Sequence, residues 1–246
     1  MRLKDKVAVV TGGGSGFGAG VVQKFVAEGA RVIVADLNLD AAQAVAQSLG
    51  AQAQALRADV TQAQDVKAML EAAQKSFGGL DILVNNAGIQ HTALIEDFPL
   101  EKWDAIIAIN LSSAWHMMRA AVPHMKAAKW GRIINFAGMN AIHGYNGRAH
   151  VSASKHAAWG LTKALAKEFG PKGIRVNAVS GGVVHTDALE HFPNKDEMLA
   201  MGDRTPAGRI VEPQDMANAV AWLAGPESAM IVGQTLIIDG GYSLPA

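Results

Sequence analysis

Eight consecutive residues near the start of the chain, Thr11-Gly12-Gly13-Gly14-Ser15-Gly16-Phe17-Gly18, have the composition that phosphate binding demands. Glycines let the backbone turn tightly and approach a pyrophosphate, whose charge then rests on the N-terminus of the helix that follows. The loop lies between an apolar run, Val7 to Thr11, and a helical segment, Gly18 to Glu28, stopped by Gly29. A glycine cluster alone is weak evidence. Flanked by a strand and a helix, with an acid downstream, it becomes specific. That acid is Asp36, just past the second apolar run, Arg31 to Ala35. A carboxylate there meets adenosine ribose hydroxyls and repels a 2′-phosphate, which favours NAD over NADP. The competing account of Asp36 is a turn or N-cap aspartate.

Other chemistries are excluded or unsupported. The chain has no cysteine, which removes thiol catalysis, disulfide frameworks and thiolate-bound metals. Its eight histidines show no paired ligand spacing with acids, so no metal site is expected. His116 and His124, with Met117, Met118, Met125, Trp115 and Trp159, read as packing residues. Lys and Arg number 22 and Asp and Glu 22, and no basic stripe appears, so neither nucleic acid nor a membrane surface is an expected partner. No apolar stretch approaches the roughly 20 residues that span a bilayer, and no leader-like segment opens the chain. A cytoplasmic location is expected.

The elements that must position these residues follow from the alternation of short apolar runs with helical-period segments. Expected strands are Val7–Thr11, Arg31–Ala35, a weaker one over Gln52–Arg57, Ile82–Val84, Arg132–Ala137, Arg175–Val179 and Thr235–Ile238. Helices are expected over Asp40–Leu49, Asp65–Phe77, His150–Phe169 and Pro213–Leu223 as well as after the glycine loop. A long helix is expected from Leu100 to Ala128, kinked at Pro123. Half of the 246 residues are apolar and no low-complexity linker interrupts them. The expectation is one α/β domain over residues 1–246, a Rossmann-type doubly wound parallel sheet of seven strands.

Several further motifs accompany the loop: Asp59-Val60, Asn85-Asn86-Ala87-Gly88, Asn110, Lys155, Asn177, Thr186 and Asp239-Gly240-Gly241. With Thr11–Gly18 they make the chain resemble the short-chain dehydrogenases/reductases over essentially its whole length. Within that family, Gly88-Ile89-Gln90-His91, the stretch from Ile95 to Trp103, Asn110 to Ser113 and Gly131 to Asn135 are most similar to bacterial D-3-hydroxybutyrate dehydrogenases. The resemblance implies that Gly12, Ser15, Phe17 and Gly18 hold the pyrophosphate and nearby ribose. It implies that Asp59 and Val60 flank the adenine, and that Asn86, Ala87 and Gly88 line the cofactor cleft. Val184 and Thr186 would hold the nicotinamide carboxamide, and Lys155 the nicotinamide ribose. Asn110 would fix a helical kink and a water serving Lys155. A homotetramer is also implied, with the tail from Gly240 available to pack across a symmetry axis.

The same comparison exposes a break. Family members reduce a carbonyl with a serine that polarises the oxygen and a tyrosine, four residues before the lysine, that passes the proton. In this chain those positions hold Gly138 and Val151. Neither side chain can donate a hydrogen bond. His150 and Tyr145 are candidate replacement acids. On a regular helix Val151 lies about 40° from Lys155 and His150 about 140° away, so His150 can help only if the helix starts after it or bulges. Tyr145, like His143, belongs to a glycine-containing loop expected to border the substrate. In the hydroxybutyrate enzymes a glutamine and basic loop residues grip the substrate carboxylate. Here Gln90 is retained, Arg148 replaces a lysine and Asn140 a histidine. Arginine suits a carboxylate through bidentate hydrogen bonds. Three functions stay open: an NAD-dependent oxidoreductase of a small hydroxy or carbonyl compound with an altered proton-transfer site, a lyase-type enzyme on the same scaffold, or a silent NAD-binding subunit.

Overall fold

The computed structural model describes residues 1–184 and 195–244. Seven strands form one parallel sheet in the order β3-β2-β1-β4-β5-β6-β7. They are β1 (Val7–Thr11), β2 (Arg31–Asp36), β3 (Ala53–Arg57), β4 (Ile82–Asn85), β5 (Gly131–Phe136), β6 (Ile174–Gly181) and β7 (Thr235–Ile238). Helices α1 (Gly16–Ala27), α2 (Leu39–Leu49), α3 (Ala63–Phe77), α4 (Leu100–Ile107), α5 (Ser113–Ala128), α6 (Ala149–Phe169), α7 (Lys195–Ala200) and α8 (Pro213–Ala224) complete the order. This is the expected doubly wound α/β architecture.

Every residue of β1 is buried, the pattern of a strand covered on both faces. On one face Val21, Val22 and Phe25 of α1 pack with Met216, Val220 and Leu223 of α8. On the other, Met69 and Leu70 of α3 meet Met117, Met118 and Met125 of α5. Burying each such side chain contributes about 1.5–3 kcal/mol. These two layers make the sheet a rigid platform. Its order reverses between β1 and β4, and the crevice at their carboxyl ends is where such sheets receive ligands.

Three expectations are corrected. Helix α1 begins at Gly16, two residues before the expected Gly18, because the chain turns into the helix inside the glycine loop. Helix α7 lies in a stretch for which no element was expected. The long helix from Leu100 departs from α geometry at a π turn over Ala108–Ser112, while α5 continues through Pro123. Pro123 faces solvent, so water can satisfy the carbonyl that its missing N–H leaves free. Among the described residues no helix is long and apolar enough to cross a membrane.

Candidate active site

The glycine loop is tied to the segment after β4 by a compact set of hydrogen bonds. Thr11 Oγ1 donates to Val84 O (3.3 Å) and accepts from the amides of Asn86 (3.1 Å) and Ala87 (3.2 Å). Asn86 Nδ2 donates to the carbonyls of Thr11 (3.0 Å) and Gly12 (2.9 Å). Gly18 packs directly beneath, where a Cβ would overlap the Gly12 carbonyl and lie 2.7 Å from Asn86 Nδ2. Ser15 caps α1 through its backbone alone, with no side-chain hydrogen bond to the helix. At the end of β2, Asp36 accepts from Gly14 N (2.9 Å) and Asn38 N (3.0 Å), which aims its carboxylate across the loop. Past β3, Asp59 Oδ1 accepts from the amide (2.9 Å) and hydroxyl (2.7 Å) of Thr61.

These segments wall a cleft of about 590 Å³. Gly12, Ser15, Phe17, Asp36, Asp59, Val60, Asn86, Ala87, Gly88, Lys155 and Val184 all line it. Gly18 supports the lining from behind, and Thr186 lies outside the described residues. The far end of the cleft is closed by Gln90, Gly138, Asn140 and Val151.

Lys155 projects from α6, and its ammonium donates to the Phe136 carbonyl at 2.7 Å. Burial pushes its pKa down to about 8. Asn110 lies in the π turn, where its Oδ1 accepts from Ile89 N and its Nδ2 donates to Ile89 O, both at 2.9 Å. A π turn widens the helix at one point and is frequent at functional sites. Here it lets one amide side chain fasten the helix to the loop after β4. A Cβ placed on Gly88 would stand 3.3 Å from Asn110 Oδ1 and 3.7 Å from Lys155 Nζ, so glycine lets these groups converge.

The two altered positions face this cleft. Val151 is 3% exposed and sits one helical turn before Lys155. Gly138 has φ 73° and ψ 167°, a conformation that residues with a Cβ strongly resist. The glycine is therefore built into the path of the loop as well as lacking a hydroxyl.

The candidate replacement acids go elsewhere. Because α6 begins at Ala149, His150 is already within the helix and faces away from Lys155. It is 2% exposed, its Nε2 lies 2.9 Å from His91 O, and its ring packs on Phe98 at 4.1 Å between centroids. Burial holds its pKa below the ordinary histidine value. Tyr145 is not part of the cleft lining. Burial, with Tyr242 and Asp239 nearby, raises its phenol pKa against the opposing effect of Arg148. Of the expected substrate residues, Arg148 Nη1 donates to Gln90 Oε1 at 2.6 Å, and Asn140 Oδ1 accepts from Ser152 Oγ at 3.4 Å. No carboxylate pairs with Arg148 among the described residues. The Phe136 carbonyl and the Ile89 backbone, both central here, carried no sequence signal because they act through main-chain atoms.

Known proteins agree with this fold. The sequence model of a family described as enoyl-(acyl carrier protein) reductase matches residues 12–243. A 3-alpha-(or 20-beta)-hydroxysteroid dehydrogenase of Mycobacterium tuberculosis is 41% identical over 246 residues, covering 98% of this chain and 90% of its own. D-beta-hydroxybutyrate dehydrogenase of Cupriavidus necator is 39% identical over 259 aligned positions, 98% of each chain. The 3-oxoacyl-acyl-carrier-protein reductase of Thermotoga maritima is 37% identical over 244, covering 98% of this chain and 99% of its own. The chain belongs to the short-chain dehydrogenase/reductase family, and it is an oxidoreductase of that type.

Proposed function

We propose that this oxidoreductase uses NAD(H) to interconvert a small hydroxy compound and its carbonyl, with a proton-transfer site that lacks the serine–tyrosine pair. One observation carries the reading. The Asp36 carboxylate stands over the amide-rich glycine loop at one end of the same cleft that holds Lys155 at the other. Gly12, Ser15, Phe17 and Gly18 would hold the pyrophosphate, Asp36 the adenosine ribose, Asp59 and Val60 the adenine. Asn86, Ala87, Gly88, Lys155, Val184 and Thr186 would border the nicotinamide half. When bound, the dinucleotide supplies or accepts a hydride.

NADH is expected to bind more tightly than NADPH by about tenfold or more, since the Asp36 carboxylate would face a 2′-phosphate across a few ångströms. Asp36→Ala should narrow that gap. Fluorescence titration or calorimetry reads both, and equal or tighter NADPH binding by the unaltered protein would overturn the assignment.

The Gln90–Arg148 pair and Asn140 favour a small anionic substrate, because Gln90 and Asn140 line the cleft and, among the described residues, no carboxylate pairs with the Arg148 guanidinium bonded to Gln90. A homotetramer is also proposed. Trp115 on α5 and Trp103 on α4 are each at least 40% exposed, more apolar ring than an isolated chain usually presents to water. Light scattering at micromolar concentration should give four times the chain mass, and a monomer would reject this. One observation favours a second reading, a subunit that binds NAD without turnover: neither Gly138 nor Val151 offers an exchangeable proton to the cleft.

A further inference from the structure

We infer that Lys155 is itself the proton donor and acceptor for the substrate oxygen, directly or through one water, with no phenol between them. The assignment rests on the oxidoreductase reading above and deepens it. It follows first from elimination. Among the described residues that line the cleft, the side chains able to exchange a proton at accessible pH are Asp36, Asp59 and Lys155. The two carboxylates belong to the ends of β2 and β3, at the adenosine end. Lys155 alone stands at the end bounded by Gly138, Asn140 and Val151.

Geometry then supports the role. Val151 and Lys155 both line the cleft one helical turn apart on α6. Valine lacks the phenol that the family's tyrosine would place beside the ammonium, so Lys155 itself is part of the cleft wall. One ammonium proton is committed to the Phe136 carbonyl at 2.7 Å, which fixes the direction of the side chain and leaves two to donate. The groups facing Nζ are uncharged: Phe136 O at the end of β5, Gly88 after β4, Asn110 in the π turn and Val151 on α6 itself. No carboxylate therefore holds the proton on, and burial brings its release to about pH 8. An acid whose pKa lies near the working pH is the most effective kind.

The step balances. In reduction, a hydride from the reduced dinucleotide adds to the carbonyl carbon while the C=O π pair takes a proton from the Lys155 ammonium. The products are the alcohol, the oxidised dinucleotide and a neutral Lys155 amine, which regains its proton from solvent. Oxidation runs the same path backwards, with the neutral amine as base.

Two measurements on the full chain test the assignment. Competitive acetylation by acetic anhydride, read for each lysine by mass spectrometry across alkaline pH, should give Lys155 a midpoint near 8, against about 10.4 for exposed lysines. NADH should protect it selectively. Reduction of acetoacetate and of diacetyl by NADH should be about 10²-fold faster than in Lys155→Arg below pH 8 and should fall as pH rises through that value. Lys155→Arg keeps a positive charge but cannot release a proton, so the pH break should disappear at saturating NADH, with NADH affinity measured alongside to separate binding from proton transfer. A midpoint near the ordinary lysine value overturns the assignment. So do equal rates and pH profiles for the unaltered protein and Lys155→Arg on both carbonyls. Failure of the unaltered protein to bind NADH overturns the oxidoreductase reading itself, and the assignment with it.

Discussion

Val151→Tyr is expected to pass the proton-donor role from Lys155 to a phenol and to accelerate reduction of a bound carbonyl by about tenfold. That is less than the roughly 10²–10⁴-fold of adding an acid where none stands, because Lys155 already donates. The new phenol would stand one helical turn before Lys155, on the same side of α6 and on the cleft wall. An ammonium at that spacing favours the phenolate and draws its pKa toward the working range. Adding Gly138→Ser should contribute less than its hydroxyl chemistry alone would suggest. Open space surrounds the Gly138 Cβ position, so the obstacle is not crowding. It is the backbone, whose φ of 73° costs a serine about 1–3 kcal/mol or forces the loop to shift. The double variant should therefore show a lower Tm than Val151→Tyr by several degrees, with activity at least as high. The measurements are single-turnover NADH oxidation with acetoacetate and thermal unfolding of each variant. An unchanged rate in Val151→Tyr, with NADH affinity intact, would show that substrate carbonyls are not presented to this wall.

Gly18→Ala is expected to weaken NADH binding by about 10²-fold, close to 3 kcal/mol, and to destabilise the fold. The added Cβ would fall on the Gly12 carbonyl and against Asn86 Nδ2, which itself holds the Thr11 and Gly12 carbonyls. Backbone cannot rotate away as a side chain can. Either α1 withdraws from the loop or the Asn86 bonds break, and both disturb the amides aimed at the pyrophosphate. Overpacking of this kind costs about 1–3 kcal/mol of stability, about 2–4 °C of Tm for each kcal/mol in a chain this long. Gly160→Ala is the control. Gly160 lies in the middle of α6 with nothing within 4 Å of a Cβ, so alanine there should raise stability by about 0.5–1 kcal/mol and leave NADH binding unchanged. Equal behaviour of the two variants would mean that close packing at Gly18 has no part in cofactor binding.

Much of the fold was legible in the residues. Val7–Thr11, the glycine loop and Arg31–Asp36 specify a strand, a tight turn and a second strand by composition alone, and tertiary packing only completed them. Parallel strands are apolar on both faces and helices on one, so the alternation of the two patterns carries the topology class. Boundaries were less legible, as the early start of α1 and the unforeseen α7 demonstrate. The π turn over Ala108–Ser112 carried no signal of its own, since it depends on how the helix is fastened to the loop after β4.

By itself the sequence determined the family, the dinucleotide-type loop and the absence of a hydroxyl at positions 138 and 151, because these depend on which side chains exist. Only the tertiary structure decided what surrounds Lys155. The Phe136 carbonyl comes from the end of β5, Asn110 from a π turn and Gly88 from beyond β4, and none of these is near Lys155 along the chain. The tertiary structure likewise gave His150 its partners, His91 and Phe98, while its turn away from Lys155 is what regular helix geometry at that spacing requires. Side-chain chemistry is a local property and can be read residue by residue. Proximity and desolvation, which make an ordinary lysine a candidate acid, arise when segments distant in the chain exclude water from one point.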